Sequence, residues 1–277
     1  MEILTIHGGN FMHGRHLSQA ITARQLDARE VQQYKEDGFL IVRGVFTADE
    51  ISALDEEADR LYQRNDLIDS DNIRCRWQNH FQTGECRFDC FDPVIDLSPV
   101  YERVARSPQM LDLVGQLYEE RACLFKDKLI FKPPGAEGYR LHQDYIGWDS
   151  FPISFLTAIV AVDACDQENG ATEVFRGYHL RGCMSPKDGM YHHLPEESVD
   201  ASAGVVLTLE PGDVAVFTGY TPHRSSPNRS NRTRRLLYLS YNAFSDGGEQ
   251  RDRHYAEFAD WLKDRYAEYG KTMTYFR

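Results

Sequence analysis

CLFKDKLIFK (residues 123–132), FLTAIVAVDA (155–164), GVVLTL (204–209), DVAVFT (213–218) and RRLLYLSYN (234–242) decide the fold. Each run is short, apolar or alternating, and Pro-Pro-Gly, Asn-Gly and Pro-Gly turn signals separate them. With no helical segment between them, these strands pair antiparallel. Such a series closes into a barrel or jelly roll, which protects its edges and leaves a mouth for a ligand. The fold class is therefore an all-β core with flanking helices.

Working outward, DAREVQQYKEDG (27–38) has an acidic start and a Gly stop, so it predicts a helix feeding the strand FLIVRGVF. Thr47 caps a second helix in which Ile51, Leu54, Ala58 and Leu61 form one apolar stripe. A polar, Cys- and Asp-containing segment follows, and Ser107 and Pro108 open a third helix, Pro being tolerated in a first helical turn. The tail HYAEFADWLKDRYAEYG predicts a final amphipathic helix. Residues 1–25, with three glycines among polar positions, predict an N-terminal arm on a single domain spanning 1–277.

Bulk properties narrow the function. The net charge of −12 repels nucleic-acid phosphates and anionic headgroups, so no nucleic-acid partner is expected. No apolar run reaches the length of a membrane span and the start lacks a signal pattern, so the expectation is a cytoplasmic protein with no membrane partner. The oligomeric state is not legible. The six cysteines (75, 86, 90, 123, 165, 183) form no CxxC pair and read as free thiols. Cys86 and Cys90 near His80 suggest a partly buried loop before they suggest zinc.

In GYRLHQDY (138–145), His142 and Asp144 stand two apart and share a side if the segment is extended. His223, in YTPHRSSPN just after DVAVFT, can join them at the barrel mouth. Two imidazoles and one carboxylate with open positions opposite are the donor set of non-haem Fe(II) oxygenases. Eleven residues beyond His223, Arg234 shares a strand face with Leu236 and Tyr238, whereas Arg235 faces the other way. A guanidinium inside a barrel offers a forked donor for a carboxylate such as the distal one of 2-oxoglutarate.

LIFKPPGxxGYRLHQD, FLTAIVAVDACDQENGATEVFRGYH and GDVAVFTGYTPHRSSPNRSNRTRR together resemble the phytanoyl-CoA dioxygenase family of iron(II)/2-oxoglutarate oxygenases, over roughly residues 33–245. The resemblance implies a double-stranded β-helix (a cupin-like jelly roll) with helices outside. It implies that His142, Asp144 and His223 bind Fe(II), that Arg234 holds 2-oxoglutarate with Ser225 nearby, and that O2 is the second co-substrate. Lys126 and Lys128 occupy the region where family members contact the co-substrate. Asp144 stands where halogenating relatives have a small residue, which favours hydroxylation. The reaction so implied converts 2-oxoglutarate to succinate and CO2 while a substrate C–H is hydroxylated.

For the substrate, Tyr145, Trp148 and Phe151 follow the HxD at the expected mouth, and Arg140, Arg176 and Arg181 are candidates for gripping an anion. Aromatic beside basic residues suit a small zwitterion, and the resemblance implies substrates of that kind: an amino-acid-like compound, a mycosporine-like amino acid or an aminophosphonate. The resemblance makes His179 a structural turn residue, and His192 and His193 read as part of a polar loop. Two other readings compete, a non-catalytic cupin-like binding module and a zinc hydrolase with the same ligands.

Overall fold

Local signals start each helix where the side chains demand it. In the computed structural model, which describes residues 24–147 and 151–269, helix α1 (Ala28–Asp37) opens with a reciprocal capping box between Asp27 and Glu30. It ends at Gly38, whose φ of 81° is easily reached only by glycine, and the chain turns straight into β1 (Phe39–Val42). Helix α2 (Ala48–Tyr62) repeats the capping box with Thr47 and Glu50. Two strands, β2 (Cys75–Asn79) and β3 (Cys86–Phe91), then precede helices α3 (Pro99–Ala105) and α4 (Pro108–Tyr118), each with Pro in its first turn under a serine cap.

The β-rich part comprises β4 (Ala122–Lys132), β5 (Leu156–Ala161), β6 (Thr172–Phe175), β7 (Gly204–Val206), β8 (Val214–Thr218), β9 (His223–Ser225) and β10 (Arg234–Ala243). Helix α5 (Arg251–Tyr269) closes the described chain. The strands form a seven-stranded sheet in the order β1-β8-β5-β10-β4-β3-β2 and a three-stranded sheet β7-β6-β9, antiparallel throughout. This is the jelly roll expected from the sequence.

Strand alternation assigns the two faces of the large sheet different tasks. Odd positions of β10, Leu237, Leu239 and Tyr241, join the core under the helices with Leu54, Leu61, Leu113 and Val114. Even positions, Leu236 and Tyr238, turn inward onto Val174 and Leu207 of the small-sheet side. The helices thus seal the outside while the space between the sheets remains for a site.

Several expectations need correction. The polar stretch before the third predicted helix holds β2, β3 and the extra helix α3, so among the described residues four α-helices precede β4. Cys86 and Cys90 lie on β3 and not on a loop; its burial rises from exposed Cys86 to the buried run Phe88–Phe91, a pattern that polar residues masked in the sequence. GVVLTL forms only the three-residue β7. Of the N-terminal arm, residues 1–23 lie outside the described residues, as does Trp148. No described helix is long and apolar enough to cross a membrane.

Candidate metal centre

His142 and His223 meet through their own backbones. The two residues form an isolated antiparallel bridge, with N to O distances of 3.0 and 2.9 Å in the two directions. Gly138 permits this close approach, because a Cβ there would sit 1.8 Å from the carbonyl oxygen of Ser225 on β9. The HxD segment is therefore extended where it must be, although it is no regular strand.

Both imidazoles are buried and oriented by main-chain carbonyls: Nδ1 of His142 donates to Arg140 O (2.7 Å) and Nδ1 of His223 to Thr221 O (3.0 Å). With the proton held at Nδ1, the lone pair of Nε2 is directed elsewhere. Each Nε2 faces Asp144 Oδ1, at 3.8 Å from His142 and 3.6 Å from His223. The other oxygen, Asp144 Oδ2, accepts a hydrogen bond from Thr157 Oγ1 at 2.7 Å. One ligand atom from each residue falls within 4.8 Å of the others, and among the described residues this is the single such cluster of His, Cys, Asp or Glu.

Electrostatics agree with a cation site. Burial and the neighbouring His223 push the pKa of His142 down, so the imidazole is neutral and able to donate a lone pair. Burial opposes ionisation of Asp144, but the surrounding His223, His142 and Lys128 outweigh it and hold the carboxyl below its ordinary value. Two imidazole nitrogens and one carboxylate, spaced about a common centre, fit a divalent metal.

Below the trio lies a second feature. Arg234 is 1% exposed, and its Nε and Nη1 have no hydrogen-bond partner among the described residues. Orphaned guanidinium donors are costly, so this site fits a carboxylate ligand. Its strand partner is Lys132, fully buried, whose Nζ donates to Ser225 Oγ (3.0 Å), Ser226 O (2.5 Å) and Gly170 O (3.2 Å). Burial and the adjacent Arg234 drive the Lys132 ammonium pKa well down. Ser225 is thus tied into the same base. A space of about 300 Å³ is bordered by Lys128, Thr172, Ser225, Tyr238 and both histidines, so it joins Ser225, the partner of Lys132, to the trio.

An outer cleft of about 1020 Å³, partly open to solvent, reaches the same His142 and Asp144. Its walls include Phe151 and Phe155, and α5 contributes His254, Phe258 and Trp261. Lys126 borders this outer cleft, whereas Lys128 borders both spaces. Tyr191 reaches in from the 182–194 loop and sets its ring edge against His142, 5.2 Å between centroids. Buried Gln143 clamps that loop by donating to Gly182 O and accepting from Met184 N.

Other residues singled out in the sequence lie elsewhere. Tyr145 packs against Tyr220 and Phe151 and borders neither space; alternation after Asp144 turns it into the aromatic cluster. Arg140 and Arg181 are exposed and border neither space, Arg181 lying over the Tyr178 ring. Arg176 is exposed beside Asp37. His179 contacts Lys35 O and His192 pairs with Asp188, both away from the trio. Reading the sequence missed Lys132, Thr157, Tyr191, the α5 wall and Tyr139, which borders both spaces. Lys132 had a signal, since it shares the even positions of β4 with Lys126 and Lys128.

A buried pair of histidines with one carboxylate, set in a jelly roll that also buries an arginine with two unpaired donors, defines the class of non-haem iron oxygenase sites. Comparison narrows the class. The family model for phytanoyl-CoA dioxygenase (PhyH) matches residues 34–236, and the chain belongs to this family of iron(II)/2-oxoglutarate oxygenases. Methylphosphonate hydroxylase of Gimesia maris is 37% identical over 185 residues, covering 66% of this chain and 69% of the relative. 2-Aminoethylphosphonate dioxygenase of an uncultured bacterium is 29% identical over 229 residues, covering 79% and 83%. The crystal structure of EctD from S. alaskensis with 2-oxoglutarate and 5-hydroxyectoine aligns at TM-score 0.65 and 23% identity, covering 83% of this chain and 82% of that one. That last likeness concerns the fold.

Proposed function

We propose that the protein is an Fe(II)/2-oxoglutarate-dependent dioxygenase that hydroxylates a C–H bond of a small polar metabolite, with an aminophosphonate or simple phosphonate as the best-fitting substrate. The carrying observation is the trio His142, Asp144 and His223, whose donor atoms lie within 4.8 Å of one another with both imidazoles pinned at Nδ1. The methylphosphonate and 2-aminoethylphosphonate relatives support the substrate class. Bound iron, with 2-oxoglutarate and O2, supplies the oxidation: the keto acid leaves as succinate and CO2 and one oxygen atom ends as the substrate hydroxyl.

The chain's own groups do the positioning. His142 and His223 present Nε2, and Asp144 presents Oδ1 while Thr157 fixes its other oxygen. Arg234 would take the distal carboxylate, with Ser225 and Lys132 at its side. Phe151, Phe155, Phe258 and Trp261 exclude water and orient the substrate. A zinc hydrolase built on the same ligands leaves the buried Arg234 donors without a task, which favours the oxygenase.

The test is aerobic turnover of the iron-loaded protein with 2-oxoglutarate and a panel holding methylphosphonate, 2-aminoethylphosphonate and ectoine. Succinate formed in step with consumption of a phosphonate is expected. Hydrolysis products without succinate would overturn the reaction class.

A further inference from the structure

Three side chains lie in a row across the large sheet. Thr157 on β5 pairs with Ser240 on β10, and Ser240 pairs with Lys126 on β4. Partners in antiparallel strands point to one face, and all three side chains border the outer cleft. Thr157 holds Asp144, so this row stands at the level of the trio. With neighbouring strands about 4.8 Å apart, Lys126 stands about 10 Å across the sheet from Thr157. In the next row, Ile159, Tyr238 and Lys128, the last two border the smaller space beside Ser225.

Lys126 is enclosed by other elements. Its Nζ lies 3.0 Å from Asp92 Oδ2 and 4.7 Å over the Phe258 ring of α5, next to His254 and Trp261 in the cleft wall. Asp92 does not neutralise this corner alone. Burial opposes its ionisation, but Lys126, Arg76 and Lys128 together outweigh it and keep the carboxyl below its ordinary value. Of these cations, Lys126 and Lys128 border the cleft, and Lys128 also serves Asp144 and Asp89, which leaves Lys126 as the cation on the α5 side. His254 adds none, because burial and Lys126 push it down to about 3 and leave it neutral.

We infer that Lys126 is the specificity residue for the substrate's oxyanion group, holding a phosphonate in the outer cleft against the α5 wall while a carbon one or two bonds away reaches the trio. The inference rests on the proposed phosphonate chemistry and reassigns Lys126 from co-substrate to substrate. A short compound suits the separation, since two strand spacings must accommodate both the oxyanion and the reacting carbon. The lysine offers a point charge with rotatable donors, which suits the tetrahedral phosphonate.

The experiment uses iron-loaded enzyme and measures KM separately for methylphosphonate, 2-aminoethylphosphonate and 2-oxoglutarate by succinate formation. Lys126→Gln should raise the phosphonate KM by about 10- to 100-fold, the scale of a lost charge-assisted hydrogen bond, and leave the 2-oxoglutarate KM within about twofold. Lys126→Arg should restore part of the loss. Because Gln strands a buried Asp92, the double variant Lys126→Gln with Asp92→Asn removes the pair together, and the same rise in phosphonate KM is expected. An unchanged phosphonate KM in the double variant, or an equal rise for 2-oxoglutarate, overturns the subsite while the reaction remains. Failure of the unaltered enzyme to turn over either phosphonate overturns the substrate reading and the subsite with it.

Discussion

Arg234 and Arg235 differ by one step of strand alternation and so do opposite things. Arg234 points between the sheets with two donors unpaired. Arg235 points outward, binds Asp163 through Nε (2.7 Å) and Nη2 (2.6 Å), and reaches Asp59 (2.8 Å) and Asp55 on α2. Arg234→Ala should raise the 2-oxoglutarate KM about 10- to 100-fold, because a charge-assisted bond is lost, with unfolding free energy unchanged or slightly higher. Arg235→Ala should behave in reverse, losing about 1–3 kcal/mol in urea unfolding as Asp163 is left unpaired, with normal KM. Similar effects from both variants would contradict the assignment. Thr157→Val removes the hydrogen bond that aims Asp144, and iron affinity in an anaerobic titration should fall about 10- to 100-fold; unaltered affinity would show that Thr157 does not orient the ligand.

The legibility of single residues followed from period and spacing. The HxD pair, the distal histidine and the facing of Arg234 were readable because two-residue alternation and the turn signals constrain them. Tyr145 was misplaced because it has the opposite parity to His142 and Asp144, and Arg140, although of their parity, precedes the bridge to His223 and stays exposed. Lys132 was overlooked although it follows the parity of Lys126 and Lys128.

At the scale of elements, α5 has two attachments with different consequences. Arg251 binds the fully buried Asp127 on β4 (2.7 Å) and Asp96 (2.9 Å), which fixes the start of the helix. Arg251→Met removes one partner of a buried pair, so it should cost about 3–5 kcal/mol and raise the substrate KM as the cleft wall loosens. Retention of full stability in chemical unfolding would mean the helix is held by its apolar contacts alone. His254 supplies the second attachment, stacking on Phe258 and Phe125.

Its titration gives a signed pH dependence. The folded pKa, about 3, lies below the ordinary 6.5, so above pH 6.5 both states are neutral and the group contributes no pH dependence. As pH falls from 6.5 towards 3, the unfolded state takes up a proton that the folded state refuses, and stability declines at up to about 1.4 kcal/mol per pH unit. His254→Phe should flatten this part of the acid limb in a stability-versus-pH series; an identical limb would locate the dependence in other groups. The sequence showed α5 as an amphipathic helix, yet which cavity its apolar face covers depends on contacts more than a hundred residues away in the chain.

For the whole molecule, the sheet-rich half and its turns were legible because each strand carries its own apolar pattern and punctuation. Strands β2 and β3 were not, since the buried polar residues Arg76, Gln78 and Asp89 interrupt the apolar alternation that marks a strand. The same polarity explains why this region contributes Asp89 and Asp92 to the cation-rich space between the sheets. Helices on one side and the small sheet on the other thus enclose a charged interior that an apolar core alone would not provide. The central claim is that His142, Asp144 and His223 hold one ferrous ion. Equilibrium titration of the protein with Fe(II) under argon tests it directly: the account predicts one ion per chain, lost when His223 is replaced by Ala, and a His223→Ala protein that still binds one ion with unchanged affinity would contradict it.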